Sequence, residues 1–159
     1  MRRLRRGNPR RPGTLLPLYR NRTSPTEDDG AVYLASPDQT EIGFVTWLSL
    51  VPTSFDLETA VDGTIDGTSE AFGTGPGISR SEAIDLPEGP TVFLAKTFRI
   101  DGDLGIASGA VAAGRCAADR RLVTVMFAVD GRLDFDRAGE LRQNPSMQTI
   151  IEILASLDC

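Results

Sequence analysis

Between residues 91 and 129 the chain passes through three apolar segments in quick succession: "TVFLAKTFRI", "LGIASGAVAA" and "LVTVMFAV". They are parted by Asp101-Gly102-Asp103 and by "GRCAADRR". None approaches the roughly 20 apolar residues that a membrane-crossing helix needs. Each is instead a short run of β-branched, aromatic or small apolar residues bounded by turn formers, the pattern of a strand. Strands joined by short turns lie antiparallel. A chain carrying this run is committed to an antiparallel sheet whose apolar faces must be covered.

The remaining segments extend that sheet and supply its cover. "AVYLAS" (31–36) reads as a strand ended by Pro37-Asp38, and "EIGFVTWLSLV" (41–51) as a second ended by Pro52. In the latter Ile42, Phe44, Leu48 and Leu50 share one face and Val45 and Trp47 the other, so both faces are expected to meet something apolar. "ISRSEAIDL" (78–86) is a weaker strand before the turn "LPEGP". The stretch "ETAVDGTIDGTSEAFGTGPG" (58–77) has helical rather than loop periodicity. Leu57, Val61 and Ile65 recur every four residues, with Phe72 near the same stripe. Ser54 is the expected N-cap, with Asp56 and Glu58 in the first turn, where the helix dipole favours acids. The acids do not alternate as an EF-hand calcium loop requires, and "GTGPG" lacks the Lys-Ser/Thr of a phosphate loop. A last helix begins at Asn144-Pro145 and buries Met147, Ile150, Ile151, Leu154 and Leu157. The expected order is β-β-α-β-β-β-β-α, an α+β fold with an antiparallel sheet of about six strands covered by two helices.

Composition narrows the function classes. The 159 residues, 40% hydrophobic and 25% charged, suit one soluble domain. Histidine is absent, which removes a Ser-His-Asp triad, a Cys-His pair and any His-ligated metal. Residues 1–22 hold eight of the 17 basic residues and no acid, leaving 137 residues with nine bases against 22 acids, a net of −13. The acidic part repels phosphate, so no folded nucleic-acid-binding module is expected. Residues 1–30, rich in Arg and Pro, read as a disordered basic arm, and 31–159 as the domain. The arm has the charged start of a signal peptide, but no apolar core of sufficient length follows, since "TLLPLY" is broken by Pro17.

Taken together, two opening strands, a helix after "VPTSFD", the phrases "GPTVFLAKTFRIDGD" and "RRLVTVMFAV" and a terminal helix ending "IIEILASLD" resemble the PsbP-like family, which includes DcrB-type bacterial envelope proteins. The resemblance covers roughly residues 31–158 and implies a non-enzymatic accessory, lipoprotein or chaperone-like role. The lipoprotein cysteine near the N-terminus is missing from this chain, and no family site maps onto it.

Four acids, Glu58, Asp62, Asp66 and Glu70, form a ridge on the first helix. They read either as an interaction face for a cation or a basic partner, or as solvated surface in an acidic protein. Like charges at i,i+4 repel by a few tenths of a kcal/mol, so on the second reading lysines at 62 and 66 leave stability equal or higher. Lys96 interrupts an apolar strand face; it needs a partner if the strand is central, and reaches water if it lies near an edge. Phe44 and Trp47 serve the core or line a ligand pocket. Ser79, Ser81, Glu82 and Asp85 alternate on the weak strand, and Asp134 and Asp136 share a face, but each set reads better as solvated surface than as a catalytic dyad. Cys116 and Cys159 read either as two unrelated thiols, one of them on a frayed terminus, or as a disulfide, and chain lengths favour the second. The strand 122–129 covers about 26 Å and the helix 145–157 about 20 Å, so the helix end returns beside the loop that holds Cys116. Such a bond belongs to an oxidising compartment such as the cell envelope.

The expectation is therefore a non-enzymatic protein that binds another macromolecule, most simply another protein, without cofactor, metal or transmembrane segment. The rival is a small-molecule or cation binder with a pocket between sheet and helices. An exposed apolar patch on one sheet face favours the first, and a closed cavity with converging polar groups the second.

Overall fold

The computed structural model describes the backbone of residues 16–22 and residues 29–38, 40–49, 51–71, 77–88, 91–116, 120–131 and 143–156. In chain order the elements are β1 (Leu16–Arg22), β2 (Gly30–Ala35), β3 (Glu41–Leu48), α1 (Leu57–Ala71), β4 (Gly77–Arg80) and β5 (Ile84–Glu88), followed by β6 (Thr91–Gly102), β7 (Gly105–Cys116), β8 (Arg121–Asp130) and α2 (Pro145–Ala155). All eight strands belong to one antiparallel sheet in the order β1-β2-β3-β8-β7-β6, with β4 and β5 both on the outer side of β6. This is the expected α+β fold, with eight strands where about six were foreseen.

The central meander β6-β7-β8 is the run that opened the sequence. The β6–β7 turn is Asp103-Leu104, two residues long and one step later than the Asp-Gly-Asp signal suggests. Gly105 follows at φ +128°, where a side chain would be strained. Strand β7 is built from small residues, and the large ones opposite use the room. A Cβ on Gly114 would collide with the Phe93 ring.

Alternation sends the two sides of each strand to different cores. Leu122, Met126 and Ala128 of β8 pack with Val111, Ala113, Phe98 and Ile100 beneath Val61 and Ile65 of α1. Val123, Val125 and Phe127 pack with Phe93, Ala110 and Ala112 beneath Met147, Ile150 and Leu154 of α2. The helices thus lie on opposite faces, and the sheet is a middle layer. Burying aliphatic and aromatic groups of this size stabilises by about 1.5–3 kcal/mol each.

Both helix starts have identifiable caps. Asn144 accepts hydrogen bonds from the Ser146 and Met147 N–H groups at 2.9 and 3.1 Å, with Pro145 in the first turn, as expected. For α1 the cap is Asp56 rather than Ser54. Its carboxylate accepts from the Glu58 and Thr59 N–H groups at 3.2 and 3.3 Å. A carboxylate at that position satisfies amides that have no partner within the helix.

Two readings of the sequence need correction. Residues 16–22, assigned above to a disordered arm, form the edge strand β1, antiparallel to β2, with an irregularity between Pro17 and Tyr19. Proline is tolerated in an edge strand, where its missing N–H can face away from the ladder. The rest of the arm, 1–15 and 23–28, lies outside the described residues. The weak strand 78–86 is likewise two pieces of one outer strand, β4 beside Phe98–Asp101 and β5 beside Thr91–Ala95. At the break Ser81 N–H donates to the Thr97 carbonyl at 3.0 Å, and the Ser81 hydroxyl accepts from Thr97 N–H at 3.0 Å.

Candidate functional site

The acid ridge runs down one flank of α1, and the register of the sheet decides what it meets. Lys96 on β6 and Arg80 on β4 both point to the α1 face, because Arg80 sits opposite Phe98 and Lys96 opposite Val111. Lys96 Nζ lies 2.5 Å from a Glu58 carboxylate oxygen and 3.1 Å from one of Asp62. Arg80 reaches Asp62 at 3.0 Å and also pairs with Asp66. The sequence Glu58–Lys96–Asp62–Arg80–Asp66 is therefore a ladder of alternating charge fastening the helix to the sheet. Glu70 is exposed and has no ion pair among the described residues.

This arrangement shifts the titration of Asp62 and Lys96. Burial pushes the Asp62 carboxyl up, but hydrogen bonds from Lys96 and Arg80 outweigh it and hold the group below its ordinary value of 3.8. The Glu58 hydrogen bond lifts the Lys96 ammonium above its ordinary 10.5; burial opposes the rise and Asp62 adds to it. Lys96 is only 7% exposed and its strand is flanked on both sides, so it does not reach water at an edge. Its charge is compensated in place. Among the described residues no group of three or more acids or cysteines is set to hold a metal ion.

The other candidates resolve into structure. Trp47 packs against the α2-side core and Phe44 against the α1-side core, so the two aromatics line no common space. The Ser81 hydroxyl is engaged at the strand break and also donates to the Glu82 carbonyl at 2.8 Å, while Glu82 and Asp85 are exposed. Asp134, Asp136 and Cys159 lie outside the described residues. Cys116 is the last residue of β7, not part of a loop; it is 4% exposed and is not a free thiol.

What sequence reasoning did not foresee is a part of the sheet that the two described helices do not reach. Helix α1 spans β6, β7 and β8, and neither helix among the described residues extends over the same face of β2 and β3. Ile42, Phe44, Thr46 and Leu48 of β3 alternate onto this face, with Tyr33 of β2 opposite Phe44. Ile42 is 44%, Leu48 47% and Tyr33 37% exposed, and the Tyr33 and Phe44 rings meet with centroids 6.4 Å apart. The strip continues without a break into the α1-side core, because Phe44 packs against it together with Leu57 and Ala60. The helix flank bordering the strip is small and uncharged, with the Thr64 hydroxyl donating to the Ala60 carbonyl at 2.8 Å. The signal was present in the alternation of "EIGFVTWL"; how far the helices reach was not.

No protein-family model and no curated protein matches the chain. No helix among the described residues is long and apolar enough to cross a membrane.

Proposed function

We propose that this chain is a non-enzymatic accessory or chaperone-like protein that binds another protein through the apolar strip of β2 and β3. The observation that carries the reading is the strip itself: Ile42, Leu48 and Tyr33, a third to a half exposed, on one face of adjacent strands beside the part of that face that α1 covers. Contiguous exposed apolar surface on a soluble domain marks an interaction site more often than it marks waste. The cation-binding alternative is less well supported, because three acids of the ridge are already engaged by Lys96 and Arg80. The resemblance to PsbP-like proteins fits an accessory role of this type.

The same reading includes a Cys116–Cys159 disulfide and an oxidising compartment, the bacterial cell envelope. Support comes from the pleat of β7: Cys116 alternates with Ala110 and Ala112 onto the face that α2 covers. The chain continues only a few residues from the end of α2 to Cys159.

A photo-crosslinking residue placed at 42 or 48, in cells that make the protein, is expected to give a discrete adduct. The same residue at 104, which is 77% exposed on the β6–β7 turn, is the control. The adduct partner, once identified and purified, should bind the wild type and not the Ile42→Lys variant. Adducts equal at all three positions, or none, would remove the proposal.

A further inference from the structure

We infer that α1 and β4 form a strap that opens as one unit while the rest of the sheet stays folded, with the Glu58–Lys96–Asp62–Arg80–Asp66 ladder as its clasp. The inference goes beyond the apolar strip and does not depend on it. The path of the chain comes first. In the sheet β3 and β4 lie on opposite sides of β8, β7 and β6, so α1 is the crossover that carries the chain between them. The two ends of this crossover are held differently. Arg115 of β7 donates to the Thr53 carbonyl at 2.5 Å and also to the Phe55 carbonyl, which pins the approach to α1. At the far end β4 is four residues long, with Ile78 and Ser79 exposed, and it pairs with β6 alone.

Alone, α1 is a poor helix. Gly63 and Gly67 are exposed, and a Cβ at either would meet nothing within 4 Å, so packing does not require them. Each favours the open chain over the helix about four- to fivefold relative to alanine. Glu58, Asp62, Asp66 and Glu70 repel at i,i+4 spacing. The fifteen residues of α1 bury Val61, Ile65 and Thr68, whereas the eleven of α2 have no glycine and bury Ser146, Met147, Ile150 and Leu154. The cations of the sheet offset the repulsion. Lys96 stays with β6, 2.5 Å from Glu58 and 3.1 Å from Asp62. Arg80 belongs to β4 and holds Asp62 at 3.0 Å and Asp66 as well, so it ties the two parts of the strap to each other. Freed from Lys96, α1 and β4 can leave together. The Asp62 and Glu58 side chains are 32% and 49% exposed, so dissolved ions reach the clasp. Behind it lie Phe98, Val111 and Met126, buried while it is closed. Ionic strength thereby governs whether that apolar surface is presented.

Amide hydrogen exchange of the full-length protein, resolved by residue with NMR, measures such openings. Protected amides of α1 and β4 are expected to share one opening constant, at least tenfold above that of β7 and β8. Gly63→Ala combined with Gly67→Ala should slow exchange about twentyfold in both α1 and β4 and leave β7 and β8 unchanged. Raising NaCl from 0.1 to 1 M shortens the screening length from about 10 to about 3 Å, and should speed α1 and β4 at least threefold relative to the central strands. With Arg80→Gln added, the alanine pair should still slow α1 and no longer slow β4. Equal slowing of all four elements by the alanine pair would mean that α1 leaves only in global unfolding, and would overturn the strap. Slowing of α1 without β4 in the presence of Arg80 would overturn the single unit, as would coupling that survives Arg80→Gln. Exchange in α1 that salt leaves unchanged or slows would overturn the clasp. The alanine pair and the salt series need no disruptive substitution, so they decide the matter even if Arg80→Gln fails to fold.

Discussion

Neutralising one acid of the α1 ridge separates two views of what holds the helix. Asp62 is shared by Lys96, at 3.1 and 3.2 Å, and Arg80, at 3.0 Å. Asp62→Asn keeps the shape and removes the charge from both bonds. Hydrogen bonds to charged groups are each worth about 1.5–3 kcal/mol when protected from water, whereas exposed ion pairs give about 0–1. The Asp62 side chain is 32% exposed, so the expected loss is about 1–2 kcal/mol after discounting for solvent. For a chain of this size that lowers the melting temperature by roughly 3–6 °C. Asp66→Asn, with a side chain 56% exposed, should cost less, about 0–1 kcal/mol. Glu70→Gln should be neutral or slightly stabilising. Lysines at 62 and 66, harmless on the solvated-surface reading, would face Lys96 and Arg80 and destabilise more than either asparagine. The effect also has a pH signature. A carboxyl that titrates lower in the folded state contributes fully above its unfolded value, here 3.8, and loses that contribution as pH falls through the folded value. The gap between wild type and Asp62→Asn should therefore be constant near neutrality and close below about pH 4. Thermal melts by circular dichroism across pH 3–8 measure it. If Asp62→Asn stabilises, or costs no more than Glu70→Gln, repulsion along the ridge dominates and the ladder is not what fastens α1.

Intact mass after alkylation, with and without reductant, should show both cysteines protected until reduced. Breaking the 116–159 loop should then cost about 4 kcal/mol on the chain-entropy estimate; two freely alkylated thiols in protein from its native compartment would refute the bond and the envelope assignment together. Starting the chain at Asp29 removes β1 and bares the outer edge of β2, so a melting temperature lower by several degrees and increased light scattering are expected. An unchanged melt would mean that β1 contributes nothing to stability.

The parts of the fold that could be read were those whose information is local. The alternation in β6, β7 and β8 and the cap at Asn144 are written within a few residues of where they act. Strand β1 was missed because its composition is that of a linker and its reason for being extended is β2, a partner in space. Lys96 could be singled out as an interruption, but its acids stand 34 and 38 residues earlier on a helix, and only the register of β6 with β7 shows that they meet. The strip is the clearest case. The sequence placed Ile42, Phe44 and Leu48 on one face correctly, and expected an apolar cover there, because alternation reports which side a residue faces and not how far the neighbouring helix extends.

The break in the outer strand has a consequence for the molecule's solubility. An unpaired strand edge is a template on which another chain can add, and the twelve-residue β6 would be that edge if nothing lay on its outer side. It is shielded by β4 and β5, which are four and five residues long. Neither piece reaches the roughly six or seven residues from which cross-β stacks are built. Pro87 removes one backbone donor from β5, and the Ser81 side chain stands in for a ladder bond where the pieces meet. The sheet thus ends in two fragments, each too short to seed growth, and the long strand β6 is held inside it.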